Sequence, residues 1–213
     1  MARKRIHWIL MADVIGSRSR SGETVSRQLQ KLVAAANEQD GVLSPLVVTL
    51  GDEFQGVLTD LGAACDLILF LEQEFLRRKI HFQLRYSLYE GMIDTPVNRE
   101  RAHGMLGPGL TAARELLNDK RPGSPRIRVS IQNAEVGSAL QDLFSVMTAL
   151  KERWNVRDYE LILAMLANRN DAEVAEVFDK NRSQIWKRRN TLLVNEYLAV
   201  KRVINQLSRY ALS

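Results

Sequence analysis

Apolar positions recur along this chain with two alternating periods. Residues 6–12 form an almost unbroken apolar run that ends in Asp13-Val14-Ile15-Gly16, the pattern of a central strand covered on both faces. Residues 23–39 place Val25, Leu29, Leu32, Val33 and Ala36 on one stripe, which predicts an amphipathic helix. Residues 45–50 and 53–58 read as two strands joined by a tight Gly51-Asp52 turn. The helical period returns over 61–79, and 81–90 alternates as a strand should. This β-α-β-β-α-β order predicts an α+β fold of ferredoxin-like, split βαβ type. A helix over 107–118 and a strand over 126–131 follow it.

The last third has a different texture. Glycine and proline nearly vanish after Gly137, and the chain reads as helices punctuated by short turns. Helices are expected over 156–167, 172–178 and 182–193, with Ala175 small enough for a close crossing. Val174, Phe178 and Ile185, with Trp186 as a further candidate, would bury the angle between the last two, in the manner of a helix-turn-helix. Leu193, Tyr197, Val200, Ile204, Leu207 and Ala211 then continue a heptad-like seam. That seam can pair two subunits or pack on the motif's own first helix. The expected division is 1–150 for the α+β domain and 151–213 for a helix-turn-helix domain with a C-terminal helix.

Composition narrows the classes. The 213 residues are 46% hydrophobic and 26% charged, the balance of a globular chain rather than a disordered or collagen-like one. Cys65 is the single cysteine, which excludes an intrachain disulfide framework and a cysteine-rich zinc site. No apolar run approaches the roughly 20 residues that cross a bilayer. The apolar stretch after the basic start stops at Asp13, short of the roughly 7–15 residues of a secretory signal. The expectation is a soluble cytoplasmic protein without a membrane partner. The net charge is +5, and residues 151–213 carry most of that excess, so a polyanion is the expected partner of the tail.

Candidate chemistry gathers at two places. Asp13 ends the first strand and Asp52 sits in the hairpin that follows the second, with Glu53 next to it. The first and third strands of such a unit are neighbours, so the carboxylates can converge at one rim. Asp13, Asp52, Glu53 and the backbone carbonyl of Val14 would offer oxygen ligands that suit Mg²⁺ or Mn²⁺. The plainer reading makes Asp13 a turn cap and Gly51-Asp52 an ordinary hairpin. Ser17, Arg18 and Arg20 follow at a strand-to-helix junction where amides and guanidinium groups can hold phosphates. Gly107-Pro108-Gly109 lacks the Gly-Lys-Ser/Thr ending of a P-loop and reads as a turn and helix start. His7, His81 and His103 stand at no ligand spacing; His7 and His81 fall on predicted strands. In the tail, Asn181, Arg182, Ser183 and Gln184 would open a recognition helix that reads base edges of duplex DNA. Lys187, Arg188 and Arg189 would lie about a turn later, against phosphates.

Several of these strings resemble a known family. Residues 11–16 (MADVIG) and 48–52 (VTLGD) resemble the metal-binding motifs of class III nucleotidyl cyclases, a scheme that GGDEF-type palm domains share. The longer strings DVIGSR (13–18), TLGDEFQ (49–55), LRY (84–86), GMIDT (91–95) and GPGLTAAR (107–114) resemble the SatD family along nearly the whole chain. The resemblance implies a palm-like N-terminal domain and a helix-turn-helix C-terminal domain. It also implies a homodimer, since cyclase sites form between subunits. Where a cyclase carries an Asn and, four residues on, an Arg, this chain has Thr111 and Glu115, with Arg114 one position off. A glutamate there would repel a triphosphate. Arg114 is kept as a nucleotide-binding candidate, and binding is easier to support than cyclisation.

The expected function is a DNA-binding regulatory protein whose palm-like domain binds a nucleotide or divalent metal. The alternative is a nucleotidyl cyclase or transferase that uses Asp13 and Asp52 for two-metal chemistry.

Overall fold

The computed structural model describes residues 5–17, 22–49 and 51–210. Five strands, β1 (Arg5–Val14), β2 (Val42–Val48), β3 (Glu53–Leu58), β4 (Leu84–Ile93) and β5 (Ile127–Ser130), form one sheet in the order β2-β3-β1-β4-β5. The first four run antiparallel to their neighbours, and β5 joins β4 in parallel. Helix α1 (Gly22–Asn37) connects β1 to β2, and α2 (Leu61–Arg77) connects β3 to β4. This is the split βαβ arrangement. Helix α3 (Pro108–Asn118) lies on the crossover to β5, as a parallel pair requires.

Alternation along β1 decides the layers. Leu10, Ala12 and Val14 join the core beneath α1 and α2, whereas Ile9 and Met11 pack with Ala113 and Leu117 of α3 on the other face. A strand buried on both faces needs the continuous apolar run seen here. The edge strand β2 begins earlier than the pattern 45–50 suggests and contains Pro45, with a register shift between Ser44 and Val47. Proline is tolerated there because an edge strand or bulge leaves its missing N–H unneeded. Strand β4 begins at Leu84 and not at 81, so His81 stands before it, exposed.

The close seat of α3 on β4 rests on two glycines. A Cβ on Gly109 would lie 2.8 Å from the Gly91 carbonyl carbon and from the Met92 oxygen. Gly91 therefore serves close backbone approach more than a bend.

Five helices complete the chain on the α2 side: α4 (Ala134–Glu152), α5 (Tyr159–Ala167), α6 (Asp171–Val177), α7 (Arg182–Thr191) and α8 (Val194–Tyr210). A 3-10 turn at Val156–Asp158 precedes α5. The predicted seam turns inward: α8 packs on α2 and α4 of its own chain, with Tyr197 and Ile204 buried. Its last member, Ala211, lies outside the described residues. The same hydrophobic cluster therefore runs from Leu10 through Phe144 to Ile204. Trp154 ties the two ends of this layer, donating its indole N–H to the Leu192 carbonyl at 2.7 Å.

A buried ionic cluster sits inside that layer. Glu72 of α2 receives hydrogen bonds from Tyr86 at 3.0 Å and from both terminal nitrogens of Arg126 at 2.9 and 2.7 Å. Lys151 of α4 makes a third contact with Glu72. Burial pushes the Glu72 carboxyl up, but the Arg126 and Lys151 charges overcome it and hold it well below the usual carboxylate range.

Candidate functional site

The β2–β3 hairpin presents the second aspartate. Gly51 takes φ +79°, the left-handed region that glycine enters without steric cost, and the Thr49 N–H donates to the Glu53 carbonyl at 2.9 Å to close the turn. Pairing of β1 with β3 sets Glu53 opposite Asp13. The Val14 N–H then donates to the Asp52 carbonyl at 2.9 Å, so the end of β1 and the hairpin are stitched together. Asp13, Val14, Asp52 and Glu53 consequently line one cleft of about 590 Å³, with Ser17 at its edge. Of the other phosphate candidates, Arg18 and Arg20 lie outside the described residues.

Two cations that the pattern of residues did not announce enter this cleft. Asp13 is buried, and Arg85 of β4, its register partner, donates from Nη1 to Oδ2 at 3.0 Å and to Oδ1 at 3.3 Å. Lys120, in the loop after α3, places Nζ 3.0 Å from the same Oδ2. Arg114 reaches the rim from α3 but pairs with Glu53 at 2.9 Å and touches Gln55 at 3.4 Å. Thr111 and Glu115 are exposed on α3. Arg85 belongs to the LRY string and has strand parity with Asp13, so its place was recoverable from register. Lys120 stands in a loop and carried no such signal.

The acidic donors are of the hard-oxygen type that Mg²⁺ and Mn²⁺ select. Among the described residues, however, no three His, Cys, Asp or Glu side chains converge closely enough to hold a metal ion. Asp13 and Glu53 each already face a cation, whereas Asp52 makes no ion pair among the described residues. The donor chemistry therefore fits a divalent ion, on the condition that a cation on Asp13 gives way.

The basic tail is built around α6 and α7. Asp179 takes φ +49° in the connecting turn, the position where a glycine is common; aspartate is one of the few other residues that visits this region. Asn181 caps α7, accepting from the Gln184 N–H at 2.9 Å while its own N–H donates to Gln184 Oε1 at 3.1 Å. Arg182, Ser183 and Lys187 are exposed on α7. Trp186 is 59% exposed, so it does not fill the angle between the helices; Val174, Ala175 and Ile185 do. Arg188 pairs with Asp158. Arg189 corrects the expected phosphate contact. Its guanidinium is buried against Asp171 at 2.6 Å and the carbonyls of Met165 and Asn168, each at 2.9 Å, so it locks α7 to α5 and α6.

Sheet order and rim together define an α+β protein built on a palm-like split βαβ sheet with an acidic, cation-lined cleft at the β1–β3 end. The chain belongs to the SatD family, which it matches over residues 6–207. Comparison with curated proteins found no match. Among solved structures it is similar to an adenylate/guanylate cyclase/hydrolase from Silicibacter pomeroyi, at 25% identity over 57% of this chain and 74% of that one, with a TM-score of 0.43. The dimeric guanylyl cyclase domain of the RhoGC fusion protein from the aquatic fungus Blastocladiella emersonii is similar at 16% identity over 55% of this chain and 74% of its own, TM-score 0.43. Adenylate cyclases from Trypanosoma brucei, in their monomeric state, are similar at 13% identity over 53% and 68%, TM-score 0.39. No helix among the described residues is long and apolar enough to cross a membrane.

Proposed function

We propose that this protein binds a nucleoside polyphosphate together with Mg²⁺ or Mn²⁺ at the β1–β3 rim, and that it acts as a regulatory DNA-binding protein through α7. One observation carries the reading: Asp13 and Asp52, far apart in sequence, line one cleft with Arg85 and Lys120. Carboxylates suit the metal, and the adjacent cations suit phosphate oxygens. Asp13 and Asp52, with Val14 and Glu53 beside them, would hold the ion, which would supply positive charge to offset that of the phosphates. Ser17 would extend the phosphate-binding side.

Titration calorimetry with ATP and GTP, with and without Mn²⁺, tests this. Metal-dependent binding that Asp52→Asn weakens at least tenfold supports the reading. No binding of either nucleotide, or binding indifferent to both metal and Asp52, overturns it.

Duplex binding rests on the exposed cationic side chains of α7, Arg182 and Lys187, with Asn181, Ser183 and Gln184 at its N-terminal end. A homodimer belongs to this reading, because two recognition helices are needed to read paired half-sites. The enzymatic alternative, cyclisation or nucleotidyl transfer through Asp13 and Asp52, is favoured by their shared cleft. The pairing of Arg114 with Glu53 argues instead for binding, since it leaves α3 presenting Thr111 and Glu115. Chromatography of ATP or GTP incubated with Mn²⁺ separates the two: turnover lost in Asp52→Asn would establish the enzyme.

A further inference from the structure

The manner in which Asp13 is neutralised suggests how the rim is controlled. Its side chain is only 6% exposed, so its charge must be met by cations rather than water. Two meet it, on the same oxygen, and they differ in kind. Arg85 comes from the middle of the sheet, in register with Asp13 on adjacent antiparallel strands, and it contacts both carboxylate oxygens. Lys120 comes from a loop and is 55% exposed. The loop around it is anchored by other groups: Asp119 pairs with Arg121 at 2.6 Å and with Arg128 at 3.0 Å. Those pairs hold the start of the loop without involving the Lys120 ammonium. A lysine there is a compact charge on a flexible stem, with none of the two-pronged geometry that fixes an arginine.

We propose that Lys120 is a tethered countercation that occupies the cation position on Asp13 in the metal-free protein and is displaced toward phosphate when a divalent ion enters. The proposal rests on the metal–nucleotide reading of this cleft and specifies its regulation. Charge makes the exchange productive. Among the described residues, the carboxylates of Asp13, Asp52 and Glu53 at the cleft are matched in number by Arg85, Lys120 and Arg114, with both Arg85 and Lys120 on Asp13. A dication on Asp13 adds positive charge to that balanced set and frees the ammonium beside it, so the cleft turns attractive to phosphate. Metal and polyphosphate are then positively coupled, each raising the affinity for the other by the same factor. Arg85 stays in place throughout, keeping the buried carboxylate compensated.

The test measures Mn²⁺ binding to the full chain without nucleotide, by the loss of the free-Mn²⁺ electron paramagnetic resonance signal. Removing a competing positive charge within contact distance of the ion in Lys120→Met is expected to tighten Mn²⁺ binding about tenfold or more. Lys120→Arg, which restores a cation able to grip both carboxylate oxygens, should bind Mn²⁺ no more tightly than the natural protein, and Asp13→Asn should lose the site. Thermal melting of each variant, with Lys120→Gln as a second neutral substitution, checks that the fold is intact. Titration of Mn²⁺·ATP should show the opposite change in Lys120→Met, a loss of about tenfold. Unchanged or weaker Mn²⁺ affinity in both neutral variants overturns the proposal, and so does an absence of Mn²⁺ binding in every form. If Mn²⁺ binding tightens while Mn²⁺·ATP binds to no form, the countercation stands and the nucleotide reading falls.

Discussion

Glu72 and Arg126 meet as a two-pronged pair across 54 residues of chain, Oε1 to Nη1 at 2.9 Å and Oε2 to Nη2 at 2.7 Å, inside the layer between the sheet and the C-terminal helices. Lys151 and Tyr86 complete the shell, so α2, β4, α4 and the start of β5 are tied at one point. Glu72→Gln leaves two buried cations facing a neutral amide. Breaking such a pair from one side costs about 3–5 kcal/mol, readable as a lower midpoint in urea with an unchanged slope.

The same cluster gives an acid-side prediction. The Glu72 carboxyl is held well below its ordinary range in the folded protein, while in the unfolded chain it titrates near 4.3. Protons therefore bind the unfolded state first. The stability that Glu72 contributes is fully present above that pH and is lost as pH falls toward the folded value. The stability gap between the natural protein and Glu72→Gln should be constant from pH 7 to 5 and narrow below about 4, as thermal melts at each pH would record.

Arg189 and Lys187 should separate structure from binding on α7. Arg189→Ala removes a buried guanidinium that satisfies Asp171 and two carbonyls, and should destabilise the fold by about 3 kcal/mol or more. Lys187→Ala, on the exposed face, should leave stability within about 0.5 kcal/mol. On the DNA-binding reading it should also reduce the salt slope of duplex binding by about 1, measured by fluorescence anisotropy.

Cys65 should be silent in the folded state. It is fully buried in α2, and burial pushes its thiol up to about 12, against a smaller opposing hydrogen bond from Ser208. Reaction with a disulfide reagent at pH 8 should be absent in the native protein. It should appear with one thiol per chain once guanidinium unfolds it.

Gly109→Ala tests the seat of α3. The added methyl would press on β4 backbone at 2.8 Å, which cannot move aside as a side chain could. A cost of about 1–3 kcal/mol follows. Because Arg114 rides on the same helix, its pairing with Glu53 should loosen as well, seen as higher amide exchange around residues 52–55 on the rim hairpin.

Much of this was legible from short-range chemistry. The doubly buried run of β1, the stripe of α1 and the Gly51-Asp52 turn each follow from backbone preference and side-chain period within a few residues. The convergence of Asp13 and Asp52 was legible too, because strand neighbourhood in a split βαβ unit follows from element order. The exposed Arg182 and Lys187 fit the polar face of their helix. Arg189 misled for a definite reason: it sits i+4 from Ile185 on the buried stripe of α7, and three acceptors on α5 and α6 make burial of its charge acceptable. The register partner of Asp13 was readable in principle from alternation along β4; nothing local pointed to Lys120.

The amino-acid order by itself determined which residues share a face, where the chain turns and which helices can form, since those depend on interactions a few residues long. Only the tertiary structure decided which charges meet. Glu72 with Arg126, Asp13 with Lys120 and Arg189 with Asp171 are joined across long stretches of chain, and a charge is driven to a partner only when packing removes it from water. The inward turn of α8 is of the same kind: its seam specifies an apolar stripe, and the open face of α2 and α4 specifies what covers it.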